Sequence, residues 1–142
     1  MSKKLDVYLS NLGVAYIKLH NLHWNVVGEN FKPVHEYLEE IYDEVTKFMD
    51  ETAEHQKMEG QAPIATMEQF LKLATIKEIE SKDYPYVDAL RIALEDITTL
   101  KDTGTAARKE ADEKDEFTLV MMLEEHINTY EKWIWFIETM LK

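Results

Sequence analysis

Apolar residues recur at alternating steps of four and three in four long stretches of this chain, and polarity nowhere alternates residue by residue for the length of a strand. Such steps place side chains on one side of an α-helix, whose period is about 3.6 residues. Segment A carries Leu5, Leu9, Leu12, Tyr16, Leu19, His23 and Val26, and segment B carries Val34, Leu38, Ile41, Val45, Phe48 and Thr52. Segment C gives Val87, Leu90, Leu94 and Ile97, then turns polar from Lys101 to Glu113; segment D gives Val120, Leu123, Ile127, Tyr130, Ile134, Ile137 and Leu141. Thr66 to Leu73 reads as a short extra helix between B and C. Four helices with one narrow stripe each pack as a four-helix bundle. The expected fold is therefore all-α, one domain over residues 1–142, with no sheet. The long B–C connection permits a crossover in place of a tight hairpin. Gly28 and Pro33 bracket one turn, Gly60 and Pro63 bracket another, and Pro85 after Asp83 marks a helix start. Segment D carries a second stripe, Trp133, Phe136 and Met140. Two readings stand for it: a wide core-facing surface, or burial against another subunit.

Composition narrows the chemistry. The 142 residues include no cysteine, which excludes disulfides, thiolate zinc sites, iron–sulfur clusters and cysteine nucleophiles. Acidic residues number 28 against 16 basic ones, for a net charge of −12. That charge repels nucleic acid and anionic membranes and attracts cations. No stretch approaches the ~20 apolar residues of a membrane span. The start, Met1 to Asp6, imitates the charged head of a secretion signal, but Asp6, Asn11 and Lys18 interrupt the apolar run that would have to follow. The expectation is a soluble cytoplasmic protein. A Gly-rich phosphate loop and a nucleophile elbow are both missing from the sequence.

Metal chemistry is the remaining direction, and the histidines are His20, His23, His35, His55 and His126. A di-iron centre inside one bundle needs Glu-x-x-His on two helices. The residues three before the histidines are Ile17, His20, Lys32, Thr52 and Leu123, so that design is disfavoured. A different set is possible. His23 ends segment A, and His35 opens segment B across a short turn. Further along B, Asp50 and Glu54 share a helical face. Two imidazoles and two carboxylates suit a non-haem iron. His35 and Asp50, however, are separated by about 22 Å of helical rise, and metal–ligand bonds are roughly 2 Å.

One chain cannot close that gap, whereas two can. His35, Glu39, Tyr42, Thr46, Asp50 and Ala53 cluster on a face of segment B roughly 130° from the Val34–Thr52 stripe, with Glu54 at its edge. If the four residues are ligands, two B helices packed antiparallel about a two-fold axis bring His35 of one chain to Asp50 and Glu54 of the other, creating two equivalent sites. Taken singly, each residue also has a plain reading. His23 fits as a core histidine, His35 as a neighbour of a helix cap, and Asp50 and Glu54 as solvated charges. His20, His55 and His126 read as surface or packing histidines.

The run from His23-Trp24 through Gly28, Phe31 and Pro33 to His35-Glu36, followed by Glu39, Tyr42, Asp50, Ala53 and Glu54, resembles the Dps family of mini-ferritins over nearly the whole chain. The resemblance implies a ferritin-like bundle assembled into a hollow dodecamer. It places ferroxidase sites between two-fold-related subunits, with His23 and His35 from one chain and Asp50 and Glu54 from the other. Members oxidise Fe(II), typically with hydrogen peroxide, and store the Fe(III) mineral inside. The implied partners are thus iron, peroxide and further copies of the chain. By the same resemblance Glu39 helps hold a second, weaker iron, and Trp24 quenches stray oxidising equivalents; ordinary packing is the alternative for Trp24.

Two departures stand out. Many members bind DNA through a Lys/Arg-rich tail, and here only Lys3 and Lys4 precede segment A, so no direct DNA binding is expected. The family's three-fold pores are lined by acids near the start of the last helix. Asp112, Asp115 and Glu116 are the candidates, but Leu119, Val120 and Met121 stand where further acid is expected; a solvated helix start is the alternative. The competing functions are a non-catalytic shell-forming scaffold and a nucleoid-structuring protein.

Overall fold

A computed structural model describes residues 2–142. The described helices are α1 (Lys3–Asn25), α2 (Phe31–Met58), α3 (Met67–Leu73), α4 (Tyr86–Glu113) and α5 (Phe117–Met140). The four long helices are the four periodic segments, and α3 is the short connector helix. Ser2 caps α1 by accepting a hydrogen bond from the Leu5 N–H at 3.1 Å, and Asp6 adds negative charge to the first turn. Around α1 the buried side chains cover most of the circumference, from Tyr8, Leu9 and Leu12 to Asn11, Val14 and Lys18. This helix is the centre of the molecule: it packs on α2, α3 and α4, while α4 packs chiefly on α5. α2 buries Val34, Leu38, Ile41, Val45, Phe48 and Thr52, as its sequence predicts, and adds His55 and Gln56 near its end. Each such aliphatic or aromatic side chain contributes about 1.5–3 kcal/mol on burial. Its opposite face is left to solvent.

The crossover between α2 and α4 is tied to α1 at two points. The Phe70 ring of α3 lies so close that a Cβ at Gly13 would stand 2.5 Å from its Cδ2, so the helix–helix approach requires glycine there. The Asn11 side chain then clamps the chain beyond α3. Its Oδ1 accepts from the N–H groups of Thr75 at 2.8 Å and Ile76 at 3.0 Å, and its Nδ2 donates to Thr75 Oγ1 at 2.9 Å.

Three expectations need correction. Against the absence of any sheet, Val26–Val27 (β1) pairs in parallel with Tyr84–Pro85 (β2). Two residues per strand are too few to leave a period in the sequence. Pro33 lies inside the first turn of α2 instead of closing the preceding turn, where its missing N–H costs nothing. The polar end of segment C is helical to Glu113, and the small residues Gly104, Ala107 and Ala111 let it pack closely. In α5 the buried stripe is Leu119, Met122, Leu123, His126, Tyr130, Trp133 and Ile137, with Ile127 and Ile134 only half-buried. Trp133 thus belongs to the core, while Trp135, Phe136 and Met140 are exposed. Among the described residues no helix is long and apolar enough to cross a membrane.

Candidate metal centre

His23 lies in the last turn of α1 and His35 in the first turn of α2. The connection between them turns at Gly28, whose φ of 117° is open to glycine and disfavoured for other residues. The two imidazoles stack with centroids 3.7 Å apart and planes inclined by 12°. Each ring also bonds the other's backbone: His23 Nδ1–H donates to the His35 carbonyl, and His35 Nδ1–H donates to the His23 carbonyl, both at 2.6 Å. A carbonyl oxygen only accepts, so both Nδ1 atoms carry the hydrogen. In the neutral rings both Nε2 atoms therefore present lone pairs, the state in which imidazole ligates metals.

His23 is buried, and its Nε2 faces Glu39 Oε1 at 3.6 Å. A lone pair and a carboxylate at that distance repel each other, and a cation placed against both converts the repulsion to attraction. Phe31 stacks on His35 with centroids 4.9 Å apart and shields that ring. Tyr42 meets His23 edge-on at 5.2 Å and stacks on His20 at 3.7 Å. Burial, with the Glu39 and Asp43 carboxylates adding to it, holds the Tyr42 hydroxyl above the ordinary phenol range. Trp24 is 66% exposed and touches His20, at 5.2 Å between centroids. It connects to the imidazole pair through His20 and Tyr42, despite being the neighbour of His23 in sequence.

Asp50 and Glu54 lie exposed on α2, one turn apart, and neither has an ion-pair partner among the described residues. Asp50 borders an open, mainly apolar depression lined by Met49 and Ala53 of α2 and by Pro63, Ile64 and Phe70 of the crossover. Within one chain no three His, Asp or Glu side chains of the described residues converge as a metal site. The structure thus brings His23 and His35 together, with Glu39 beside His23 alone, and leaves Asp50 and Glu54 apart from them, in line with the helical-rise argument.

The acidic corner divides differently from its expected position at the start of the last helix. Asp112 is still in α4, 3.7 Å from Arg108. Asp115 occupies the turn with φ 55°, and Glu116 is the N-cap of α5. Beyond them Leu119 is buried, Val120 half-buried and Met121 exposed, so these three positions supply no acid. Sequence reasoning missed the group around His126, which is 1% exposed and bonds Tyr8 from α1. Its position four residues before Tyr130 in an apolar helix was the available signal.

The ferritin family, described as a ferritin-like domain, matches residues 2–142. A DNA protection during starvation protein of Brevibacillus brevis is 36% identical over 97% of this chain and 92% of its own length. The crystal structure of a Dps protein from Bacillus brevis superposes with a TM-score of 0.93 at 35% identity, covering 98% of this chain and 93% of that one. Antigen TpF1 from Treponema pallidum superposes with a TM-score of 0.95 at 34% identity, covering 99% and 90%. On these matches, the chain belongs to the ferritin-like family as a Dps-type mini-ferritin.

Proposed function

We propose that this chain oxidises Fe(II) with hydrogen peroxide and stores the Fe(III) within a hollow homo-oligomeric shell, a dodecamer. Each site is formed by His23 and His35 of one subunit with Asp50 and Glu54 of a partner subunit. Glu39 contributes to a second, weaker iron position. The observation that carries the reading is the reciprocal bonding of the stacked His23 and His35, which leaves the Nε2 of each ring open to a metal, with Glu39 3.6 Å from that of His23. The unpaired carboxylates of Asp50 and Glu54 supply the hard anionic ligands that iron favours. The apolar depression beside Asp50 gives a partner subunit a surface to cover.

Iron is the substrate here. Two Fe(II) ions each give one electron, and hydrogen peroxide takes two electrons and two protons to become two waters. Holding two ions at one site lets both electrons reach the same peroxide, so hydroxyl radical is not released. Trp24 serves as the outlet for a stray oxidising equivalent, through His20 and Tyr42. Asp115 and Glu116, with Asp112 a turn earlier, attract cations to the α4–α5 corner.

The loading experiment is direct. Fe(II) is added in large excess with limiting peroxide, the mixture is separated by size, and iron is quantified across the eluate. Tens of irons per chain travelling with a particle near twelve chains is the expected result. A particle of that size without iron means a scaffold, and a monomer or dimer without iron defeats the reading.

Protection of DNA, the function in the names of several relatives, follows here from removal of iron and peroxide. The net charge of −12 per chain, multiplied over a shell, opposes contact with phosphates. Purified shells are expected to leave plasmid DNA unretarded on a gel at physiological salt. Retardation there overturns the claim.

A further inference from the structure

Two tyrosines, a histidine and a carboxylate stand in one line inside the bundle, apart from the His23–His35 pair. Tyr8 of α1 and Tyr130 of α5 are both fully buried. Their hydroxyl oxygens are 2.5 Å apart, and Tyr8 Oη lies 2.9 Å from His126 Nδ1. On the far side of the ring, His126 Nε2 lies 3.6 Å from Oε1 of the half-exposed Glu51 and has no hydrogen-bond partner among the described residues. Phe48 covers the imidazole at 3.9 Å between centroids, and Trp133 sits 5.7 Å from Tyr130.

Charge sets the order of the protons. Nε2 faces a carboxylate, so the neutral ring carries its hydrogen there, and Nδ1 accepts. Tyr8 Oη–H accordingly donates to Nδ1, and Tyr130 Oη–H donates to the Tyr8 oxygen. Burial holds His126 down at about 4, which keeps the ring neutral and able to take a proton. Burial also pushes both phenols above their ordinary range, so neither loses a proton alone. A phenol that gives up an electron becomes a far stronger acid than imidazolium, however, and its proton then crosses a hydrogen bond already in place.

We propose that Tyr8, backed by Tyr130 and His126, is a reversible one-electron redox site in the bundle core. An oxidant of the one-electron class, such as those formed when Fe(II) meets peroxide outside a controlled site, withdraws one electron from Tyr8. The Tyr8 hydroxyl proton moves to His126 Nδ1. The products are the reduced oxidant, a neutral phenoxyl radical that still accepts from Tyr130 Oη–H, and an imidazolium whose Nε2–H faces Glu51. A one-electron reductant of the thiol or ascorbate class reverses the step, and the proton returns to Tyr8. Full burial keeps the radical from coupling with a tyrosine of another molecule or meeting solvent. Glu51 needs no change of protonation, and the inference does not depend on the iron sites. Trp24 is a different outlet, on the exposed side of α1.

The test uses the intact metal-free protein, a flash-generated ruthenium(III) oxidant and freeze-quenched electron paramagnetic resonance, with isotopically labelled histidine. The expected signal is a phenoxyl radical coupled to an imidazole nitrogen, with a yield that falls about tenfold in Tyr8→Phe. A fluorinated tyrosine placed at position 8 keeps the ring, the hydroxyl and the fold, and its fluorine must split the same signal. Radicals confined to Trp24, Trp135 or other tyrosines, with no imidazole coupling and no fluorine splitting, overturn the proposal. A purely structural network yields that second pattern.

Discussion

Replacing His23 and His35 together by glycine lowers the rate of peroxide-driven Fe(II) oxidation by about 100-fold or more, because even residues that only orient a metal ligand are worth about 10–100-fold. The double variant removes both lone pairs that the reciprocal carbonyl bonds hold in place. It leaves Glu39, Asp50 and Glu54 intact, so cations still gather at the surface without being positioned for electron transfer. Both substitutions fall within one turn of a helix end, and the two carbonyls they release can turn to water. The Val34–Thr52 face of α2 and the core of α1 are untouched, so assembly is expected to persist. Stopped-flow absorbance of Fe(III) formation, with size measured in parallel, decides it. Unchanged kinetics in a correctly assembled variant removes His23 and His35 from the site.

The largest stability effect is expected at the ion pair joining α1 to α4. Lys18 Nζ lies 3.0 Å from Asp96 Oδ1, both side chains are 7% exposed, and Asp96 Oδ2 has no hydrogen-bond partner among the described residues. Burial pushes the Asp96 carboxyl up to about 6, against the pull of Lys18. Lys18→Met strands that carboxyl, and removing one member of a buried pair costs about 3–5 kcal/mol. The cost depends on pH with a definite sign. A raised folded-state value means that the folded chain holds the proton after the unfolded chain has lost it, so stability falls as pH rises from the unfolded value toward the folded one. Without Lys18 the folded value rises further, and the decline extends to higher pH. The gap between wild type and Lys18→Met is therefore full near pH 8. It shrinks near pH 5 to about 1 kcal/mol, the worth of the lost hydrogen bond. Lys18→Met/Asp96→Leu, which removes both charges, is expected to recover most of the loss. Denaturation at fixed protein concentration measures all three. A gap that does not change with pH contradicts the assignment of the loss to a stranded charge.

The bundle was legible where a helix has one apolar face. α2 shows this best: the periodic residues Val34, Leu38, Ile41, Val45, Phe48 and Thr52 are all buried, and only His55 and Gln56 extend the buried face beyond them. In α5 apolar residues occupy two faces, so period alone cannot select the phase, and the core took Trp133 and His126 over Ile127 and Ile134. The end of α4 lacked a signal for a different reason. Its buried residues, Gly104, Ala107 and Ala111, earn their place by being small. At the candidate site, the nearness of His23 and His35 follows from a short turn, and their separation from Asp50 follows from helical rise. The tautomers were not legible, because they depend on where two backbone carbonyls point. In the Tyr8–His126–Tyr130 group only the His126–Tyr130 spacing was legible; the link to Tyr8 was not, since no local pattern joins the first helix to the last.

The central claim is that each iron site takes its imidazoles and its carboxylates from different subunits. Co-assembly tests it most directly. His23→Gly/His35→Gly subunits and Asp50→Ala/Glu54→Ala subunits are each expected to be inactive alone. Unfolded together in equal amounts and reassembled, they form two-fold pairs at random, and a mixed pair regenerates one complete site and leaves one empty. About a quarter of all sites are then intact, by two-fold symmetry. Recovery of roughly a quarter of the wild-type initial rate of Fe(II) oxidation is the predicted result. A mixed shell as inactive as either parent contradicts it, because sites built within single chains cannot be restored by mixing.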